Sequence, residues 1–202
     1  MTEADVSASR IVVVDDQVTN VEFLTLLLER EGFRQVVGVS DARRALEVIL
    51  AEDADLVLLD LMMPHVDGYE VLRGLRRARP ADGFLPVLVM TADATPEARR
   101  RALELGATDF LTKPVNVLEA TLRIRNLLRT RQLQRACERL ERALEAAVVR
   151  LARTAATGDG GANGRDADDD ARRLAEAARA IAQQLGLDEA QARRLELAAR
   201  GA

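Results

Sequence analysis

The stretch RIVVVDDQVTNVEFLTLLLEREG, residues 10–32, changes from one periodicity to another at its pair of aspartates. Its first part is a short run of β-branched residues, which is typical of a strand buried on both faces of a parallel sheet. Its second part repeats apolar residues with helical spacing and ends at Gly32, where a helix C-cap belongs. The stretch therefore predicts one strand–helix unit of an α/β protein.

Four further stretches repeat the apolar strand pattern. They are QVVGVS (35–40), ADLVLLD (54–60), LPVLVMT (85–91) and TDFLTK (108–113). Segments with helical spacing separate them. Five buried strands that alternate with helices predict an α/β fold with an open, five-stranded, parallel, doubly wound sheet in about the first 125 residues.

The composition excludes several classes of protein. The net charge is −4, which gives no general reason to bind nucleic acid or an anionic membrane. No stretch approaches the roughly 20 consecutive apolar residues of a membrane span, and the N-terminus is acidic where a secretion signal would be basic. The single cysteine, Cys137, excludes an intrachain disulfide. We therefore expect a soluble cytoplasmic protein that makes no contact with membranes.

Polar side chains stand where four of the predicted strands end. They are Asp15, Asp16, Asp60, Thr91 and Lys113, and Lys113 is the only lysine in the chain. Ligands of open α/β sheets bind just beyond the carboxyl ends of the strands, so these groups are expected at one rim of the sheet.

Three carboxylates at one rim suit Mg²⁺, which prefers hard oxygen ligands. With their charge neutralised, one carboxylate can attack phosphorus and become an aspartyl phosphate. The ammonium of Lys113 can reach a single oxygen, whereas the planar fork of an arginine would crowd the same pocket. The pattern therefore favours phosphoryl transfer, with Lys113 and the Thr91 hydroxyl beside the phosphoryl oxygens.

Four motifs resemble the receiver (CheY-like) domain of two-component response regulators. They are VVVDD (12–16), LVLLDLMMPHVDGYEVL (56–72), VLVMTA (87–92) and GATDFLTKP (106–114). The resemblance implies a flavodoxin-like fold and a phosphoryl group accepted on Asp60 from a sensor histidine kinase or a phosphotransfer protein. It also implies a Mg²⁺ cofactor and no bound organic cofactor.

The resemblance assigns the metal ligands and the switch residues. Asp15, Asp16 and Asp60 would hold Mg²⁺ together with the backbone carbonyl of Met62. Thr91 and Lys113 would assist phosphorylation of Asp60, Thr91 and Phe110 would form the switch pair, and the Lys113–Pro114 peptide bond would be cis.

Other enzyme classes fit poorly. Haloacid-dehalogenase-like phosphotransferases need a second aspartate two residues after the first, a position occupied here by Met62. Neither GxGxxG nor GxxxxGK[ST] is present. Beyond phosphorylation of its own aspartate, we expect no enzymatic activity.

The rest of the chain is rich in Ala, Leu, Arg and Glu, which favour helices. Apolar residues recur with heptad spacing at Leu133, Cys137, Leu140, Leu144, Ala147 and Leu151. This pattern predicts a coiled-coil signalling helix at 126–157, continuous with the last receiver helix and forming a parallel homodimer through residues 126–154. The alternative is one amphipathic helix folded back on its own domain. A flexible linker is predicted at 158–170 and a helical hairpin at 171–202.

The hairpin has two alternative interpretations. One is a DNA-binding helix-turn-helix of a transcriptional regulator, which we do not expect because its charge balance is too mild for strong phosphate attraction. The other rests on RLARTAATGD, an AxxIAxxLGL helix and LELAA, which resemble the start of HD-GYP cyclic di-GMP phosphodiesterases. No histidine follows His65, so this would be the regulatory part of a truncated or degenerate enzyme without its catalytic part.

The preferred hypothesis is a phosphorylation-dependent response regulator. It would accept a phosphoryl group on Asp60 and signal through the dimeric helical extension.

Overall fold

A five-stranded parallel sheet forms the centre of the first part of the computed structural model, which describes residues 6–78, 84–93, 95–157, 167–184 and 189–200. The strands are β1 (Arg10–Val14), β2 (Gln35–Val39), β3 (Leu56–Asp60), β4 (Val87–Thr91) and β5 (Asp109–Thr112). They pair in the order β2-β1-β3-β4-β5, and Val12 lies opposite both Val37 and Val57. The predicted fold class is confirmed.

Helices connect the strands and continue beyond the sheet. They are α1 (Val18–Arg30), α2 (Ala45–Ala51, after a 3₁₀ turn at Ala42–Arg44), α3 (Gly68–Ala78), α4 (Pro96–Glu104), α5 (Val117–Thr157), α6 (Ala167–Gln184) and α7 (Glu189–Arg200). The Thr95 hydroxyl caps α4 by accepting a hydrogen bond from the backbone N–H of Ala98. Gly32 and Gly106 adopt φ values of 93° and 104° after α1 and α4, as expected of helix C-caps.

Alternate residues of the central strands face two separate cores. Val12 and Val14 of β1 belong to one buried cluster, whereas Ile11 and Val13 belong to the other. Because helices cover both faces of the sheet, neither side of these strands can be polar. This explains the continuous apolar runs in the sequence.

The chain divides into two compact units, of which the first runs from Met1 to Arg135 and so extends past the predicted boundary at residue 125. In this first unit, Ala120, Ile124 and Leu128 of α5 are buried in the second core cluster. The early turns of α5 are therefore part of the core of the first unit.

The second unit runs from Ala136 to Ala202. Within it, Ala175, Ala178 and Ala182 of α6 and Leu195 of α7 are buried. Helix α6 begins inside the predicted linker, at Ala167, whereas 158–166 and 185–188 lie outside the described residues. No helix in the described ranges has the length and apolar character needed to cross a membrane.

Candidate functional site

The five sequence-predicted polar residues meet at the carboxyl edge of the sheet. Asp15 and Asp16 follow β1, Asp60 and Thr91 end β3 and β4, and Lys113 follows β5. These four strands are consecutive neighbours in the sheet. Asp15, Asp60 and Thr91 are buried, so the apolar strands carry these polar groups to the floor of the site.

Three carboxylates form a cluster suited to a cation. One oxygen from each of Asp15, Asp16 and Asp60 lies within 4.8 Å of the others. Among the described residues, Asp16 Oδ1 is a buried oxygen without a hydrogen-bond donor, and the buried Asp60 Oδ1 faces the Lys113 ammonium at 3.1 Å. Buried carboxylate oxygens without donors are costly unless a cation compensates their charge. The residues present therefore fit a bound Mg²⁺.

Asp15 is held by groups from its own strand–helix unit. Its Oδ1 accepts hydrogen bonds of 3.0 Å from the backbone N–H of Gln17 and from Asn20 Nδ2. Asn20 Nδ2 also lies 3.1 Å from Asp15 Oδ2. Sequence reasoning missed Asn20, although its place in the first turn of the helix after the aspartate pair was a usable signal. Asn20 fixes the orientation of one predicted metal ligand.

Lys113 joins two of the carboxylates. Its Nζ lies 2.8 Å from Asp15 Oδ2 and 3.1 Å from Asp60 Oδ1. Burial alone would lower the pKa of Lys113, but its interactions with Asp15 and Asp60 outweigh burial and raise that pKa above its ordinary value. The ammonium is therefore charged at neutral pH. The Lys113–Pro114 peptide bond is cis, which confirms that part of the prediction.

Burial raises the pKa of Asp60, the acidic partner of Lys113, above its usual range. The charge of Asp15 adds to this effect. Lys113 and a hydrogen bond from the backbone N–H of Met62 counteract the rise only in part. An additional positive charge near Asp60 would therefore stabilise its ionised form.

The loop after Asp60 makes a very close backbone approach. A Cβ atom on Gly68 would lie 2.3 Å from the Asp60 carbonyl oxygen and 2.7 Å from Leu61 Cα. The backbone N–H of Gly68 donates to the Leu61 carbonyl at 3.1 Å. Sequence reasoning did not single out Gly68, because its role depends on how the loop folds back against β3. Only glycine fits here without displacing the backbone that carries Asp60.

Thr91 and Phe110, the predicted switch pair, contact different residues. Thr91 Oγ1 accepts a 3.0 Å hydrogen bond from the backbone N–H of Asp93 and lies 3.4 Å from the Asp93 carbonyl. Phe110 is half-buried, and the guanidinium carbon of Arg99 stands 4.0 Å from its ring centroid. Sequence reasoning also missed Arg99 and Asp93.

The fold and this cluster define a class of protein. The family model of the response regulator receiver domain matches residues 11–125, more than half of the chain, and the chain belongs to this family. Receiver domains bind Mg²⁺ at an acidic pocket and interact with histidine kinases or phosphotransfer proteins.

Particular relatives share the receiver region. The regulatory protein VanRc of Enterococcus gallinarum is 38% identical over 62% of this chain and 52% of its own length. The alkaline phosphatase synthesis transcriptional regulatory protein PhoP of Bacillus subtilis is 37% identical over 61% and 50%. A Francisella response regulator receiver domain superposes with a TM-score of 0.56 at 28% identity, over 60% of this chain and 98% of that one. The chain thus spans about half the length of these curated relatives.

Proposed function

We propose that this chain is a phosphorylation-dependent response regulator with Asp60 as its phosphoacceptor and Mg²⁺ as its cofactor. The observation that carries the proposal is the cluster of Asp15, Asp16 and Asp60, in which the buried Asp16 Oδ1 has no hydrogen-bond donor and the buried Asp60 Oδ1 faces only the shared ammonium of Lys113. Lys113 supplies the cluster's nearby positive charge. The phosphoryl donor would be a sensor histidine kinase or a phosphotransfer protein.

The proposed reaction is a transfer between two side chains. A carboxylate oxygen of Asp60 forms a bond to phosphorus while the bond from phosphorus to the donor's imidazole nitrogen breaks. The donor's imidazole keeps the electron pair of the broken bond and takes up a proton. Asp15 and Asp16, with the carbonyl of Met62, would hold Mg²⁺, which supplies charge neutralisation for the phosphoryl oxygens when bound.

Two further side chains would act on the product. Lys113 can move its ammonium from the Asp60 carboxylate to a phosphoryl oxygen, because both lie within reach of the same flexible stem. The Thr91 hydroxyl can donate to another phosphoryl oxygen once it leaves Asp93. Both groups stand at the rim before the reaction, so each needs only to exchange one partner for a phosphoryl oxygen.

The proposed output is a dimer formed by the extension of α5. Leu133, Cys137, Leu140 and Leu144 are exposed on this helix in the single chain. Their heptad spacing supports a parallel homodimer through residues 126–154, whose packing would depend on phosphorylation.

The experiment is intact mass and light scattering with and without Mg²⁺ and acetyl phosphate. We expect the wild-type protein to gain one phosphoryl group in the presence of both, and to change its size or shape. Asp60→Asn should gain none, whereas Asp41→Asn, which alters an exposed carboxylate at the 3₁₀ turn, should behave as the wild type. A phosphoryl group that persists in Asp60→Asn would contradict the proposed acceptor.

A further inference from the structure

Arg99 of α4 covers the aromatic member of the switch pair. Its guanidinium carbon lies 4.0 Å from the centroid of the Phe110 ring, within the distance of a cation–π contact. Among the described residues, Arg99 Nε is a buried atom without a hydrogen-bond partner. The ring of Phe110 is thus the principal partner of this part of the guanidinium. Arg99 and Phe110 lie on different elements, α4 and β5, so the contact joins them.

A short series of hydrogen bonds links the same helix to the other member of the pair. Thr91 Oγ1 accepts a hydrogen bond from the backbone N–H of Asp93. Asp93 Oδ1 in turn accepts a 2.9 Å hydrogen bond from the backbone N–H of Thr95. Thr95 in turn caps the first turn of α4 through Ala98. Arg99 stands one residue further on. Thr91 and Phe110 are therefore both attached to the first turns of α4.

We propose that Arg99 is a positioning residue that holds the switch pair in its unphosphorylated arrangement. This inference rests on the proposed function. A phosphoryl group on Asp60 would draw the Thr91 hydroxyl away from Asp93, which releases the loop before α4. Phe110 can then move only if it separates from Arg99. The Arg99–Phe110 contact thus opposes the change that phosphorylation favours.

The expected size of the effect follows from the exchange between two states. A contact present in only one of two states shifts their ratio by its own free energy. A partly buried cation–π contact corresponds to a shift of roughly threefold to thirtyfold. Removing the Arg99 side chain should therefore populate the phosphorylation-like arrangement without phosphorylation. It should also raise the affinity for a phosphoryl analogue by a similar factor.

The test labels the full chain with 4-fluorophenylalanine and records ¹⁹F NMR spectra during titration with beryllofluoride in Mg²⁺. The chain has four phenylalanines, and Phe110→Leu assigns the resonance of interest. In Arg99→Ala, we expect this resonance to shift toward its beryllofluoride-bound position before any beryllofluoride is added. The apparent affinity should rise at least threefold, and Arg99→Lys, which retains a cation, should restore part of the wild-type behaviour.

Arg101→Ala is the matched control. Arg101 lies on the same helix and stands 4.1 Å from the centroid of the Tyr69 ring, so the variant removes the same charge and the same kind of contact from a ring outside the switch pair. An unchanged Phe110 resonance and affinity in Arg99→Ala would overturn the inference, as would equal changes in Arg101→Ala. If wild-type protein binds no beryllofluoride in Mg²⁺, the proposed function fails and the inference falls with it.

Discussion

At the scale of single residues, Asp60 occupies a place that disfavours its own charge. Burial raises its pKa, and the neighbouring Asp15 carboxylate adds to the effect. The ion pair with Lys113 compensates only in part, because Lys113 is shared with Asp15. The proposed site for a cation and a phosphoryl group is therefore a source of instability when neither is bound.

This predicts that Asp60→Asn stabilises the metal-free protein at neutral pH. A carboxyl group whose pKa is higher in the folded state contributes stability below its unfolded pKa, about 3.9, and loses that contribution as pH rises through the folded pKa. At pH 7 the ionised form therefore destabilises the fold. We expect the substitution to raise the free energy of unfolding by about 1–3 kcal/mol in EDTA, as for relief of an incompletely paired buried group.

Urea denaturation at several pH values measures this effect. The difference between Asp60→Asn and wild type should shrink as pH falls through the raised pKa of Asp60, below which the wild-type carboxyl is neutral. It should also shrink in excess Mg²⁺, which stabilises the wild-type protein by binding its folded state. A difference that is independent of both pH and Mg²⁺ would show that the charge of Asp60 is not its cause.

Gly68 carries a second prediction at this scale. A Cβ at position 68 would meet backbone atoms of Asp60 and Leu61, which cannot move aside, whereas a Cβ on Gly74 of the same helix would meet mainly the end of the flexible Leu46 side chain, at 2.9 Å. We expect Gly68→Ala to destabilise the protein by about 1–3 kcal/mol and to slow phosphorylation by acetyl phosphate.

Gly74→Ala provides the comparison. It should stay within about 1 kcal/mol of wild type, because the higher helix propensity of alanine offsets a small adjustment of Leu46. Thermal unfolding and phosphorylation rates, measured on both variants, test whether the two substitutions differ. Equal effects of the two substitutions would mean that the close approach at Asp60 is not the cause.

At the scale of elements, α5 contacts the receiver beyond residue 125, where the sequence pattern placed the end of the domain. Arg135 Nη1 lies 2.7 Å from Asp55 Oδ1, and Gln132 Nε2 donates to Ser9 Oγ at 3.1 Å. Arg125 donates to the Glu31 carbonyl at 2.8 Å. These contacts explain why the first unit continues to Arg135.

The two aspartates that contact Arg135 should contribute differently to the stability of the fold. Asp55 is mostly buried and also accepts a 2.9 Å hydrogen bond from the backbone N–H of Arg10, whereas Asp53 is largely exposed. We expect Asp55→Asn to lower the free energy of unfolding by roughly 1–2 kcal/mol and Asp53→Asn by less than about 0.5 kcal/mol. Asparagine tolerates the left-handed backbone at position 53, where φ is 46°.

Urea denaturation of these two variants tests the attachment of α5. Hydrogen exchange of the amides in 126–135 should accelerate in Asp55→Asn and stay near wild type in Asp53→Asn. Unchanged protection in Asp55→Asn would mean that the apolar contacts of Leu128 and its neighbours hold this part of the helix by themselves.

The sequence was sufficient to predict the positions of some of these residues but not of others. The buried strands and the groups at their ends were predictable, because continuous apolar runs mark strands covered on both faces and the carboxyl ends of parallel strands share one edge, where Asp15, Asp60 and Lys113 lie. Arg99 and Arg135 were not predictable. Each looks like an ordinary surface arginine, and its partner is set by packing between segments that are distant in sequence.

At the scale of the whole molecule, the matched family covers residues 11–125 and leaves the rest of the chain without a counterpart in it. The predicted dimer seam lies in this remainder. Leu140 is 69% exposed in the single chain, and association of two chains through the seam would bury it.

Leu140→Glu is therefore expected to weaken dimerisation without unfolding the monomer. Loss of one buried leucine from each of two chains should lower the association constant by about 10²- to 10⁴-fold, while phosphorylation by acetyl phosphate proceeds at the wild-type rate. Sedimentation of the full chain measures the change. Leu197→Glu is the control, because Leu197 is 63% exposed on α7, outside the seam. Equal association constants for wild type and Leu140→Glu would refute a dimer through this seam.

The ion pair between Arg135 and Asp55 has a practical consequence for the design of chimaeric proteins. Asp55 directly precedes β3, and Asp60 ends it, so the anchor of the helix and the proposed phosphoacceptor lie at the two ends of one short strand. A chimaera that fuses this helix to a foreign receiver at residue 125 would separate Arg135 from its partner. A crossover after Arg135 would transfer both together, and is the better place to graft a new output onto this receiver.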